Sequence, residues 1–299
     1  MLSHQVEWIH AELWTTSSFN QEDVHKTSLS KFVKSFHDDE HSYLQGNVIQ
    51  GKMCYPFAAA LVAVWDTFAM YFGVPKREVS VTIRDVHLFA QPLLFDQRVL
   101  KLEVALHRGT GRFEIMNECS RVISGCIQAS NETNRGFQYT YNENKLNDDI
   151  EITSEDIYQL LNDREYKYSG EFRSIECASA SLDEAAIVWR DNWVTLIDGM
   201  LQLNVLRQPH HAVSQPTHIR EVCIDVQQHV KQEFILNNKN VMKAFVDDKY
   251  DFTRCGGVSL RNIKFHNLPE VGRDLQLELL CVPLSHIHDV STLCHDIRN

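Results

Sequence analysis

Asn47-Val48-Ile49-Gln50-Gly51-Lys52-Met53-Cys54-Tyr55-Pro56 runs directly into Phe57-Ala58-Ala59-Ala60-Leu61-Val62-Ala63-Val64-Trp65-Asp66-Thr67-Phe68-Ala69-Met70-Tyr71-Phe72. Proline is favoured in the first turn of a helix, where its missing N–H costs nothing, so Pro56 reads as the helix start. Gly73 follows the apolar block and reads as its C-cap. The block is apolar nearly all round, and such a helix is buried on most of its faces. A core helix is therefore predicted over 57–72, and the flanking chain must supply whatever wraps it.

Strand-like runs follow. Val79 to Leu88 carries Val81, Ile83 and Val86, and Val99 to His107 places Leu100, Leu102, Val104 and Leu106 on one face. Arg108-Gly109-Thr110-Gly111 is a hairpin turn signal, and Arg112 to Ala129 supplies further strand. The polar stretch 130–150 reads as a linker. A short helix is predicted over Ser154 to Asn162, with Ser154 as its N-cap. Strand signals at Ser174 to Ser181 and Glu184 to Trp189 precede a second apolar helix, Trp193 to Leu206. Further strand candidates lie at Thr217–Val226, Lys231–Leu236, Asn240–Phe252 and Gly257–Phe265. A buried helix with several strands thus occurs twice. Periodicity alone gives an α+β protein of two similar lobes, with no strand–helix alternation and no Gly-x-Gly-x-x-Gly of the dinucleotide-binding kind.

With 299 residues the chain can bury one large core or two medium ones. A net charge of −11 disfavours nucleic acid and anionic membrane surfaces as partners. The longest apolar run, Phe57 to Phe72, is interrupted by Asp66 and Thr67 and is too short for a membrane span. The N-terminus lacks the basic region and apolar block of a secretory signal. Eight cysteines are scattered without Cys-x-x-Cys or a zinc-like Cys/His spacing, which reads as free core thiols in a reducing compartment, and no metal site is expected. The sequon Asn131-Glu132-Thr133 carries no weight without secretion.

Within the second helix, Asp198 and Gln202 are four residues apart and share one face. A carboxylate in an apolar helix must be paired or protonated, and burial would make Asp198 a proton donor near neutral pH. The alternative is that both side chains satisfy neighbouring backbone groups.

Tyr43-Leu44-Gln45-Gly46-Asn47, Gly51 and Pro56 resemble the active-site segment of dehydratase domains in animal-type (insect-like) fatty acid synthases and related polyketide synthases, whose pattern is His-x-x-x-Gly-x-x-x-x-Pro. Trp189-Arg190-Asp191-Asn192-Trp193-Val194 with Asp198-x-x-x-Gln202 resembles the second active-site helix of that family, whose motif is Asp-x-x-x-Gln. Trp8 to Trp14, Tyr166 to Phe172, Gln215-Pro216-Thr217-His218-Ile219 and Cys255-Gly256-Gly257-Val258 resemble further segments of the same domain, in the same order. Each is weak alone, and together they span roughly residues 5 to 268.

The resemblance implies a double hotdog, two antiparallel sheets each wrapping a central helix. Its lobes would be 1–140 and 150–285, with 286–299 a tail or the start of a linker to a following domain. It implies removal of water from a (3R)-3-hydroxyacyl thioester in fatty acid biosynthesis. The substrate would arrive on the phosphopantetheine arm of an acyl carrier protein domain, with no cofactor bound directly. Neighbouring synthase domains, a homodimer through the synthase and a cytoplasmic location belong to the same expectation. Asp198 would be the acid and Gln202 its orienter. Gly51 would offer its N–H to the thioester carbonyl, and Pro56, Tyr168 and Phe172 would stand on the substrate side.

Position 47 departs from the pattern, because the family's base is a histidine and this chain has Asn47. An amide has no basic site near neutral pH and cannot take a proton from carbon. His37 and His41 stand at the wrong offset from Gly51, in a charged run that reads as a solvated face. Ser169-Gly170 replaces a Gly-Pro, and Lys52 replaces an Arg. The expectation is a dehydratase domain that is impaired or inactive. The alternatives are a lyase using another base, such as one acting through an ordered water, and a standalone acyl-thioester-binding or thioesterase hotdog.

Overall fold

The computed structural model describes residues 29–34, 41–94, 100–107, 109–130, 151–209 and 212–269. Residues 131–150 of the linker expected at 130–150, the Trp8–Trp14 segment and the tail 286–299 lie outside the described residues, as do the lobe limits 1, 140, 150 and 285.

The quoted segment begins with strands β2 (Asn47–Ile49) and β3 (Lys52–Met53), followed by helix α1 (Phe57–Tyr71). Twelve of the fifteen residues of α1 are buried, as its uniform apolarity requires. Pro56 is the N-cap rather than the first helical residue, and its carbonyl accepts from Ala59 N–H at 3.0 Å. At the other end Phe72 is the C-cap. Gly73 donates to Met70 O and Val74 to Ala69 O, so the helix closes in a Schellman arrangement.

Around α1 stand β1 (Leu29–Lys34), β4 (Val81–Leu88), β5 (Leu100–Leu106), β6 (Arg112–Asn117) and β7 (Ser120–Ala129), hydrogen-bonded antiparallel in the order β1-β5-β6-β7-β4. The alternation expected in β5 is present, with Leu100, Leu102, Val104 and Leu106 all buried. Strand β1 precedes the quoted segment in the chain and joins the sheet at its edge, beside β5.

The second half repeats this plan. After β8 (Glu151–Thr153) come α2 (Ser154–Asp163), β9 (Tyr166–Tyr168), β10 (Ile175–Ser179), β11 (Glu184–Val188) and the buried helix α3 (Trp193–Leu206). Then follow β12 (Ser214–Ile224), the short α4 (Val226–Val230), β13 (Glu233–Leu236), β14 (Lys239–Asp247), β15 (Phe252–Cys255) and β16 (Val258–Asn267). Their order is β12-β16-β15-β14-β11-β10-β8, with β13 on the side of β14. The N-cap of α2 is Thr153, whose hydroxyl accepts from Asp156 N–H. Ser154, expected in that role, instead donates to Ile175 O at 2.8 Å and pins the helix to β10.

The two half-sheets join where β4 pairs with β12, from Val81↔Ile224 to His87↔His218. The result is one continuous antiparallel sheet of thirteen strands among the described residues. The central helices pack directly against each other. Trp65 of α1 and Trp193 of α3 lie edge to face with ring centroids 5.1 Å apart, a favoured aromatic geometry, and Trp65 Nε1 donates to Val79 O at 2.9 Å. No described helix is long and apolar enough to cross a membrane.

Candidate active site

A three-stranded sheet, β3-β2-β9, joins the Asn47 segment to the Tyr166–Phe172 segment of the second half. Its hairpin is dictated by two residues. Gln50 (φ 50°) and Gly51 (φ 71°) are both left-handed between the paired Ile49 and Lys52. A two-residue loop with that geometry matches the twist of the flanking strands, and glycine adopts it without strain. The other edge of β2 pairs with β9 from the second half, setting Asn47 opposite Tyr168 and Ile49 opposite Tyr166. Gly46 sits so close to Ser169 that a Cβ would collide with the Ser169 carbonyl, and Gly46 O accepts from Ser169 N–H at 2.9 Å. A bare backbone at position 46 thus lets the Asn47 segment and the Tyr166–Phe172 segment touch.

Asn47 is 2% exposed, and Cys54 holds it twice. Its main-chain carbonyl accepts from Cys54 N–H at 3.0 Å, and its Nδ2 donates to Cys54 O at 3.0 Å. A carbonyl can only accept, so the amide orientation is fixed. The Oδ1 atom is then left buried with no hydrogen-bond partner. Leaving such an acceptor unpaired costs about 1–3 kcal/mol, a penalty that a bound donor would relieve.

On α3, Asp198 is buried, and burial pushes its carboxyl up to about 7 against the opposing effect of the Gln202 hydrogen bond. Gln202 Nε2 donates to Asp198 Oδ2 at 2.7 Å and to Phe172 O at 2.9 Å. One amide thus serves both the Asp198 carboxylate and a backbone carbonyl. Tyr168, half-buried, lies within electrostatic reach of both Asp198 and Cys54; burial first and the Asp198 carboxylate second hold its phenol well above the usual range. It is the common neighbour of the two motifs. Burial also raises the Cys54 thiol, which donates to Lys52 O at 3.4 Å.

Several expected roles take a different form. Gly51 is exposed at the hairpin tip and works there as a turn former, so its part as a carbonyl donor rests on the resemblance alone. Phe172 is fully buried, its ring stacked on Tyr43, and it contributes a main-chain carbonyl rather than a substrate-facing side chain. Pro56 is buried as the cap of α1. His41 is half-buried, not solvated, and His37 lies outside the described residues. Sequence reading missed Tyr158, whose hydroxyl donates to Gln202 Oε1 at 3.0 Å. The available signal was a phenol on the buried face of the amphipathic α2, beside Ile157 and Leu161, where it must find a partner. A cavity of about 390 Å³, lined by Asn204, Arg207 and Asp248 among others, opens beyond the C-terminal half of α3 and includes none of these residues. Among the described residues no His, Cys, Asp or Glu cluster is arranged to hold a metal ion.

No protein-family model matches the chain. Solved structures do. The dehydratase domain from the CurF module of curacin polyketide synthase aligns at a TM-score of 0.59 and 13% identity, covering 80% of this chain and 93% of that one. An inactive CurK dehydratase with an Asp-to-Asn change aligns at 0.58 and 12%, covering 81% and 94%. An inactive CurK dehydratase with a His-to-Phe change aligns at 0.56 and 11%, covering 81% and 92%. At such identities the likeness speaks to fold, and this chain has the hotdog fold of polyketide synthase dehydratase domains.

Proposed function

We propose that this chain is a dehydratase-type domain of a fatty acid synthase that binds 3-hydroxyacyl thioesters but has lost the dehydration step. Its substrate would be presented on the phosphopantetheine arm of an acyl carrier protein. The observation that carries this reading is Asn47. Dehydration needs a base to take the C2 proton and an acid to protonate the departing hydroxyl. Asp198, poised to ionise near 7 and held by Gln202, suits the acid's part. Asn47 Nδ2 is committed to Cys54 O, and its Oδ1 can accept a hydrogen bond but not a proton from carbon. That buried, unpaired oxygen suits a substrate donor, so binding outlasts chemistry. Loss of a general base typically costs ~10²–10⁴ in rate.

A working lyase with a substitute base is the weaker reading. The titratable groups described next to Asn47 are the Cys54 thiol and the Tyr168 phenol, and burial keeps both protonated. The CurK variants changed at a His or an Asp are inactive, which fits a chemistry that needs both groups.

The test separates binding from turnover. Calorimetric titration of the full chain with a 3-hydroxyacyl pantetheine should give saturable binding, while enoyl thioester formation stays at the buffer rate. Enoyl formation well above that rate would reveal another base. Absence of binding would remove the acyl-thioester reading altogether.

A further inference from the structure

The Gln202 side chain can be turned two ways, and only one serves Asp198. With Nε2 toward the carboxylate it donates a hydrogen bond; turned over, it would present Oε1 to a group that is ionised half the time near neutral pH. Phe172 O, an acceptor, favours the first orientation at 2.9 Å. Tyr158 favours it from the other side. Its oxygen accepts from Ile175 N–H at 2.9 Å, which fixes where the hydroxyl sits. Its single proton has two acceptors in reach, Gln202 Oε1 at 3.0 Å and Phe172 O at 3.2 Å. The Phe172 carbonyl already receives Nε2, so the nearer Oε1 takes the proton. Tyr158, Gln202 and Asp198 are all buried, with 6%, 1% and 6% exposed, so bulk water does not compete for these bonds.

We propose that Tyr158 is a positioning residue, its hydroxyl locking the Gln202 amide so that Nε2 faces the Asp198 carboxylate. The inference rests on the proposed function only in taking Asp198 as the acid of the site. Around this chain of bonds stand Tyr168 and, beside it, Tyr166 and Cys54, while the Arg173 guanidinium lies 4.9 Å above the Tyr158 ring. Burial holds the phenols and the thiol protonated through neutral pH, so Asp198 is the member of this group that titrates near 7.

The sign of the effect follows from the bonds. A donated hydrogen bond favours the ionised carboxylate. Without the Tyr158 hydroxyl the amide is free to turn, the donation weakens, and Asp198 holds its proton more tightly. Carboxyl carbon NMR on the full chain, with the Asp198 signal assigned by its loss in Asp198→Asn, reads this directly. Tyr158→Phe should raise the Asp198 midpoint by about one pH unit, a tenfold gain in proton affinity. Gln202→Ala, which removes the donor, should raise it at least as far. Should Tyr158→Phe fail to fold, a site-specific 3-fluorotyrosine at 158 keeps the shape and strengthens the O–H donor, so the midpoint should fall. A midpoint that moves in Gln202→Ala but in neither Tyr158 variant would overturn the proposal. No turnover is measured, so an active parent would contradict the reading of Asn47 and leave this inference standing.

Discussion

On the acid side, four residues interlock through hydrogen bonds of 2.7–3.0 Å: Asp198, Gln202, Tyr158 and the carbonyl of Phe172. On the base side, Asn47 is gripped by Cys54 through backbone and side chain, and its outward atom Oδ1 is left without a partner. Both side chains are buried, yet Asp198 sits among groups that tune its proton affinity, while the Asn47 amide has no basic site near neutral pH. Under the proposed function the difference separates two ways of retaining a site: an acid keeps its tuned environment because the surrounding bonds are also structural, and an amide in the base position leaves the scaffold intact because it makes the bond to Cys54 O that an imidazole Nδ1–H would make.

The largest effect on stability should come from the acid side. A free Asp carboxyl ionises near 3.8 and the buried Asp198 near 7, so between those values the folded protein keeps a proton that the unfolded chain has released. Stability contributed by this group therefore falls as pH rises from about 4 to about 7, and is flat above that. The cost at pH 8 is at most roughly 4 kcal/mol, from about three pH units at 1.36 kcal/mol each. Asp198→Asn removes the titration. Its stability relative to the parent, measured by urea unfolding, should improve across that window. Parallel profiles for the two proteins would mean that Asp198 stays ionised, and the two sides would then differ less than argued.

A smaller contrast concerns the frames. At Gly46 a methyl group would strike the Ser169 carbonyl, which is backbone immediately after β9. At Gly199, next to Asp198, it would strike the Ser174 hydroxyl and approach Ile187 Cγ2 at 3.1 Å, both of them side chains. Overpacking typically costs about 1–3 kcal/mol. Gly46→Ala should fall at the high end of that range and Gly199→Ala at the low end, because a hydroxyl can rotate away and a main-chain carbonyl held by its own hydrogen bonds cannot. The reverse order in thermal unfolding would show the acid frame to be the stiffer one.

Much of this was legible in the sequence. Uniform apolarity placed α1 and α3 to within a residue, and alternation placed the buried face of β5. The pairing of Asp198 with Gln202 follows from helical spacing, and the two motifs were linked by resemblance. What escaped was set by contacts between distant segments. The Tyr158 bond to Gln202 spans 44 residues, and no local pattern encodes it. Strand β1, Leu29-Ser30-Lys31-Phe32-Val33-Lys34, has no clean alternation and declares itself only through its pairing with β5. Gly51 looked like a donor within a motif, but the left-handed pair it forms with Gln50 is the tip of a hairpin. The caps slipped by one residue because Thr153 and Ser154 are equally able to cap, and Ser154 was taken by Ile175 O.

The comparison is tested most directly by returning the base. In Asn47→His, Nδ1–H can keep the bond to Cys54 O and leave Nε2 free as the proton acceptor. Formation of the 2-enoyl thioester from a 3-hydroxyacyl pantetheine should rise by ~10²–10⁴ over the parent. The affinity for the unreacted thioester should change little, and adding Asp198→Asn to the variant should abolish the gain. Equal turnover by parent and Asn47→His, at a rate above buffer, would contradict the account, because the proton would then be leaving C2 by way of another group.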